Sequence, residues 1–518
     1  MLSTESLSRY CQSEHLSEEG LREFFERHGM TPNNNGPENV DEKVFFKLCF
    51  DGKITEGIIR CFLEYFPAAA NFNKDGITPL HLVVNNERVS LNIVQLLVDA
   101  APNSVRSVSA KGTMPLHHLC SGSEPGEASA GEIMKFLIEK YPEGVQHVDD
   151  YGRIPLHYAC ERRSPEFCRV LVEAYPGSEQ IHVPSSNCLP FGIACLRNNN
   201  LATVEYIYNL YPDAIDHKLY PDANNHTISE HPIFYIVKDM YGRSNPMAGV
   251  EIVRFLLDHN PSLGAVVVAP DLNLIYCACT SLFMAADQSE VNSNTEACIQ
   301  IIEMIYDAYP EAIEGSHIDS EIYLWNQRIQ IFINSQLVYA RQARDYSQMT
   351  TPDDNGQLPL HTALQNNVRL GSIKLLVKGN TTAVNSPDNN GLLPLHVACQ
   401  HHDSTAVIQY LVGLDTSTLE AVDNDQNTAL HHACCSAKYE TIAMLLEEYD
   451  AVSISKQNAD GKLPLDLLLE SNEVVDRESI EYIESIFRLL RAYPETVMNY
   501  NVHENERGAS ALDDLLNT

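Results

Sequence analysis

The chain has 518 residues, 44% hydrophobic and 20% charged, with 70 Asp and Glu against 35 Lys and Arg for a formal net charge of -35. That composition is that of a folded chain with apolar content for a core, and it argues against a disordered one. A field of that sign repels phosphate backbones and anionic lipid, so neither nucleic acid nor a membrane surface is expected as a partner.

Residues 1–39 come first. The opening MLSTESLSRYCQSEH has neither the basic start nor the apolar run of a secretory signal. It points to an intracellular, cytoplasmic protein whose 14 cysteines stay reduced. Leu16 to His28 has helical spacing, with Leu21, Phe24, Phe25 and His28 on one side, and Thr31 to Asn39 is a turn-rich linker. That helix is expected to act as an N-terminal cap.

From about Val40 one stretch is rewritten again and again: DGITPLHLVV from Asp75, GTMPLHHLC from Gly112, YGRIPLHYAC from Tyr151, NGQLPLHTAL from Asn355, NNGLLPLHVAC from Asn389, DQNTALHHAC from Asp425 and DGKLPLDLLL from Asp460. A second mark, Tyr-Pro or a variant, closes each unit, as at Tyr141-Pro142, Tyr175-Pro176, Tyr211-Pro212 and Tyr309-Pro310. Successive marks lie near 35 residues apart (67 to 102, 142 to 176, 381 to 416), and the gap of 71 from 310 to 381 holds a unit that has lost its signature. The residue types predict a Gly turn, a short helix opened by Pro, a loop, and a second helix with apolar positions at helical spacing. Such a pair cannot bury its apolar face alone, so neighbours must stack. Extra residues at Ser121–Gly131, Met240–Gly249, Ala286–Glu296 and Ser471–Ser479 fall between the two helices of a unit.

Asp75-Gly-Ile-Thr78-Pro79-Leu80-His81 and Asn390-Gly-Leu-Leu-Pro394-Leu395-His396-Val-Ala398 resemble the opening of the ankyrin repeat, Asp-x-x-Gly-x-Thr-Pro-Leu-His-x-Ala. The recurring Tyr-Pro ending resembles a subgroup of long algal ankyrin proteins. The resemblance covers about residues 40–518. It implies an all-α repeat fold, a solenoid of helix-turn-helix pairs with short hairpin turns, that binds proteins on its concave face and carries out no catalysis. Four segments are expected: 1–39 as a capping helix and linker, 40–312 as a first stack, 313–350 as a degenerate helical unit, and 351–518 as a second stack with its cap. Thr before the Pro survives only at Thr78 and Thr428, so the usual hydroxyl cap is expected to be missing elsewhere.

Histidines at one repeat position (His81, His117, His157, His361, His396 and His431) are read as structural bridges across the turn, since catalysis needs one site and not six copies. Cys120, Cys160, Cys195, Cys399 and Cys434 share another repeat position and read as small buried side chains. Phosphate-loop, dinucleotide, zinc-protease and hydrolase-elbow signatures are absent, and no cofactor or metal is expected. Trp325, Phe332, Tyr339 and Tyr346 recur every seven residues in a helix expected from Ile318 to Tyr346, either as a packing stripe or as a docking ridge.

The reading that results is a monomeric, non-enzymatic scaffold or adaptor for protein partners. Its recognition residues are expected at the polar hairpin tips Asp75, Lys111, Asp150, Tyr151, Asp354, Asn355, Asn389, Asn390, Asp425 and Asp460, with Trp325 in the degenerate unit. A tip row rich in Asp suits a partner with a basic surface. The competing expectation is an enzyme or regulatory protein with a site around 313–350.

Overall fold

The computed structural model describes residues 4–32, 42–50, 53–123, 125–197, 200–219, 231–238, 245–265, 267–269, 272–283, 293–314, 327–448, 454–471 and 479–492. The chain divides into two compact units, Met1–Ile301 and Ile302–Thr518.

The repeat at 353–385 shows how the sequence makes the element. Its tip, Asp353 to Gln357, turns through Gly356 at φ 77°. Leu358 is extended (φ -82°, ψ 162°) because a residue before proline is kept out of the helical region. Pro359 then opens the helix Pro359–Gln365, and Leu370–Gly379 packs against it. The chain leaves through a tight 3-10 turn, Thr381–Asn385.

In the first unit the first helices of successive repeats (Glu42–Phe50, Pro79–Val83, Pro115–Ser121, Pro155–Arg162, Pro190–Arg197 and Pro232–Lys238) pack one on the next. The second helices (Glu56–Tyr65, Leu91–Ala100, Glu127–Lys140, Pro165–Ala174, Leu201–Leu210 and Pro246–His259) form the other layer. In the second unit the same two layers are Pro359–Gln365, Pro394–His401, Ala429–Cys435 and Pro464–Glu470 against Leu370–Gly379, Thr405–Leu414, Tyr439–Glu448 and Ile480–Ala492. Among the described residues the one sheet is a two-stranded hairpin, Val267–Ala269 with Leu272–Asn273.

The Tyr-Pro mark does more than stop a helix. Tyr141, Tyr175 and Tyr211 are all extended at φ -140° to -148°, and Pro142 and Pro212 each begin a 3-10 turn. At Thr416, where proline is lost, a side chain takes over: Asp415 Oδ1 accepts from the Ser417 N–H at 2.9 Å and starts the turn Thr416–Leu419.

The N-terminal segment holds a pair of helices, Thr4–Cys11 and Glu18–Arg27, of which the sequence pattern indicates only the second. They pack on the first and second helices of the first repeat, Phe25 meeting Phe62 edge-on at 5.8 Å and Tyr65 at 4.7 Å. The insertion after Ser121 adds a turn to the second helix, so that Glu127–Lys140 has 14 residues where Leu91–Ala100 has 10. Arg163 holds that insertion down. It is 2% exposed, donates from Nη1 to Pro125 O (3.0 Å) and from Nη2 to Leu119 O (2.8 Å), and lies over the Phe167 ring.

The expected helix from Ile318 to Tyr346 is corrected by the structure at its C-terminal end. The described helix is Gln327–Arg344, and Asp345 ends it by accepting from the Ser347 and Gln348 N–H groups to cap a new short helix, Tyr346–Thr350. Tyr346 is thereby cut off from the stripe and 73% exposed, while Phe332 packs edge-on against Tyr306 and Tyr339 lies against the core. Trp325 and residues 315–326 lie outside the described residues. Gln327–Arg344 stacks on Leu370–Gly379 as a second-layer helix does. Gly379 allows the close approach, since a Cβ there would stand 2.6 Å from Ala343 O, and Gly371 does the same for the helix Ser293–Ala308, where a Cβ would stand 2.6 Å from Tyr306 Cδ1. A buried relay crosses this contact, Tyr306 Oη to Ser372 Oγ at 2.8 Å and Ser372 Oγ donating to Gln336 Oε1 at 2.6 Å.

Candidate functional site

The tip residues Asp75, Lys111, Asp150, Tyr151, Asp354, Asn355, Asn389, Asn390, Asp425 and Asp460 are all exposed. Their backbone is fixed from beneath by residues outside the expected set. Asp149 Oδ1 accepts from the Tyr151 and Arg153 N–H groups, Asp388 Oδ1 from Asn390 and Leu392, and Asp423 Oδ1 from Asp425 and Asn427, all at 2.7 to 3.0 Å. Asn458 repeats the arrangement for Asp460 and Lys462. A short polar side chain that bonds its own backbone two residues on is a turn-maker. The signal stands in the sequence as Asp or Asn three residues before the turn's left-handed position. Asp149, Asp388 and Asp423 are buried, so their carboxylates belong to the scaffold and not to the surface.

The tips are also tied to one another. Ala110 N–H donates to Asp75 O (2.8 Å) and Asp150 N–H to Lys111 O (3.1 Å) in the first unit. In the second, Asn389 N–H donates to Asn355 O (3.0 Å), Asn424 N–H to Asn390 O (3.0 Å) and Ala459 N–H to Asp425 O (2.8 Å). The Asn389 side-chain amide adds a bond to Asp354 O at 3.1 Å, so this one tip side chain spends its donor on its neighbour.

Below the tips runs the histidine layer. In five repeats the ring Nδ1 accepts from the backbone N–H three residues earlier, while Nε2 faces a carbonyl of the following repeat: Thr113 O for His81, Arg153 O for His117, Leu392 O for His361, Ala421 O for His396 and Lys462 O for His431. An accepting Nδ1 leaves the proton on Nε2, so each ring is neutral and donates forward. Burial drives these histidines down, His81 to about 3 and His117, His396 and His431 to about 4. His157 makes the first bond, from Ile154 N–H, but its Nε2 finds no acceptor at hydrogen-bond distance. The next hairpin is one residue longer, closing from Val183 to Cys188.

The same bond explains why the missing threonine matters little. His Nδ1 caps the N-terminal N–H whether the residue before Pro is Thr78, Met114 or Leu393, and Thr78 Oγ1 itself only meets His81 Nδ1 at 2.9 Å. Asp466 replaces His and serves the same N–H, accepting from Leu463 N at 2.7 Å. Gly192 also replaces His, and a Cβ there would lie 3.1 Å from Cys188 Sγ.

A family model for ankyrin repeats matches three stretches, 90–183, 331–418 and 360–460. The chain carries ankyrin repeats in those stretches. No curated protein matches it significantly. Ankyrin repeats generally mediate protein–protein interaction, and the family is typically non-enzymatic. No helix among the described residues is long and apolar enough to cross a membrane, and no three of their His, Cys, Asp or Glu side chains gather as metal ligands do. All cysteines but Cys435 are buried, and burial pushes Cys120, Cys399 and Cys434 well above the ordinary thiol range.

Near the degenerate unit lies a cavity of ≈ 400 Å³ lined by Tyr339, Gln342, Gln348, Pro352, Asp353 and Thr362 among others. Among its described lining residues the one carboxylate, Asp353, already accepts from the Asn355 and Gln357 N–H groups.

Proposed function

We propose that this ankyrin-repeat protein is a cytoplasmic scaffold that binds partner proteins along the row of hairpin tips within each of its two units and the adjoining exposed sides of the first helices. The observation that carries the reading is the hydrogen bonding that fixes the backbone of those tips. Exposed polar side chains stand on turns clamped by Asp149, Asp388, Asp423 and Asn458 and joined tip to tip by backbone bonds. A preorganised surface binds without an ordering cost, and rows of side chains at fixed spacing suit an extended protein contact.

Asp75 and Asp150 in the first unit and Asp354, Asp425 and Asp460 in the second give each row an acidic character, which favours a partner with a basic surface and an association weakened by salt. The test is affinity capture with the wild-type chain at low salt, repeated with Asp→Lys at these five tips. Partners should be recovered by the wild type and lost, at unchanged melting temperature, by the variant. Capture that ignores all five reversals would remove the tips from the binding surface.

A further inference from the structure

The first repeat carries a feature of the opposite sign. The helix Glu42–Phe50 buries Val44, Phe45, Leu48 and Cys49 and turns Lys43, Phe46, Lys47 and Phe50 to its other side, at i, i+3, i+4 and i+7. Phe72 and Lys74, on the segment leading to the first tip, and Leu82, on the next helix, close a cavity of ≈ 360 Å³ around that face. Phe46 and Phe72 meet edge-on at 5.2 Å, and Phe50 is 76% exposed. Among the described residues the lining therefore consists of three lysines and four large apolar residues with no carboxylate, in a chain with 70 acidic residues and 35 basic ones. Asp75, next to Lys74 in the chain, stands on the tip at φ 53° and is not part of that lining.

We infer that this pocket docks a partner-protein segment in which one bulky apolar side chain is flanked by Asp or Glu. The inference rests on the scaffold reading and adds a second, oppositely charged contact to it. A cavity of this volume takes one aromatic or branched aliphatic side chain, and Phe46, Phe50, Phe72 and Leu82 supply its apolar walls. Ammonium groups around an apolar pocket select a segment that brings carboxylates beside its anchor, because the rim pairs then offset the desolvation of both sides. An extended polyanion fits less well. Nucleic acid or an anionic membrane carries its charge beyond the three lysines into the field of a chain at -35, whereas the charge of a short acidic segment ends with the pocket.

A random peptide library is panned against the full chain and against the K47E/F50S double variant, and an enriched peptide is then measured by fluorescence anisotropy. The wild type should enrich peptides with one Phe, Leu, Ile, Met or Trp between acidic residues, and the double variant should not. Replacing the peptide's carboxylates by amides, K47E alone and F50S alone should each weaken binding about 10-fold, with melting unchanged because both side chains are exposed. Enrichment of basic or uncharged peptides, no enrichment, or equal binding by K47E and F50S would overturn the inference. So would anionic vesicles or single-stranded DNA displacing the peptide at lower charge concentration. The five tip reversals are measured alongside. Partners lost with the tip reversals but kept by K47E/F50S leave the scaffold reading standing and remove the pocket alone.

Discussion

Acidification should unfold the repeats through the histidine layer, and His431 allows the effect to be isolated. Its ring is buried, accepts from Thr428 N–H at 3.1 Å and faces Lys462 O at 3.2 Å, and burial lowers it to about 4. The folded value lies below the unfolded one, near 6.5, so between the two the unfolded chain holds more protons and stability rises with pH. The contribution is complete above about pH 7, falls as pH drops through about 6.5, and levels off below about 4. At about pH 5, about 1.5 units below the unfolded value, protonation favours the unfolded chain by about 2 kcal/mol for this one histidine. His431→Asn should keep the first bond, as Asp466 does at the equivalent position in the next repeat, and lose both the forward bond and the titration. Urea unfolding followed by circular dichroism at about pH 7.5 and about pH 5 reads both effects. Wild type should be the more stable by about 1 kcal/mol at the higher pH, and that lead should vanish or reverse at the lower one. A gap that is the same at both pH values would refute the assignment of a neutral, forward-donating ring. Depressed carboxylates such as Asp403, held down by its hydrogen bond with Lys438, act only at lower pH and leave this window to the histidines.

Three further outcomes are expected. Arg163→Met removes a buried guanidinium and strands the carbonyls of Leu119 and Pro125, which should cost about 3 kcal/mol and free the 121–131 insertion for proteolysis, read by limited digestion. Gln426 holds φ 63° at the place where Gly152, Gly356, Gly391 and Gly461 stand in other tips, so Gln426→Gly should raise stability by about 0.5 to 1 kcal/mol in urea melts. Of the 14 thiols, Cys435 alone is exposed, so a thiol reagent should label one site rapidly in the native protein and all of them in denaturant, with Cys435→Ser abolishing the fast phase.

The repeated Gly turn, Pro start and apolar spacing by themselves determined the helix pairs and their stacking, because each is a local requirement of backbone geometry or of burying one helical face. They also marked the histidines as structural, since a residue copied at every turn serves the turn. Features that depend on the neighbouring repeat stayed open at that level. Which polar tip side chain is free and which, like Asn389, is bonded to the adjacent tip depends on the spacing between repeats. The break at Asp345 replaces one aromatic stripe by two helices because a carboxylate that caps N–H groups competes with helix continuation. The Lys43, Phe46, Lys47 and Phe50 pattern is visible as one helical face, but only the approach of Phe72, Lys74 and Leu82 from outside that helix turns it into a pocket. Sequence determined the unit, and tertiary packing decided which of its surfaces are available.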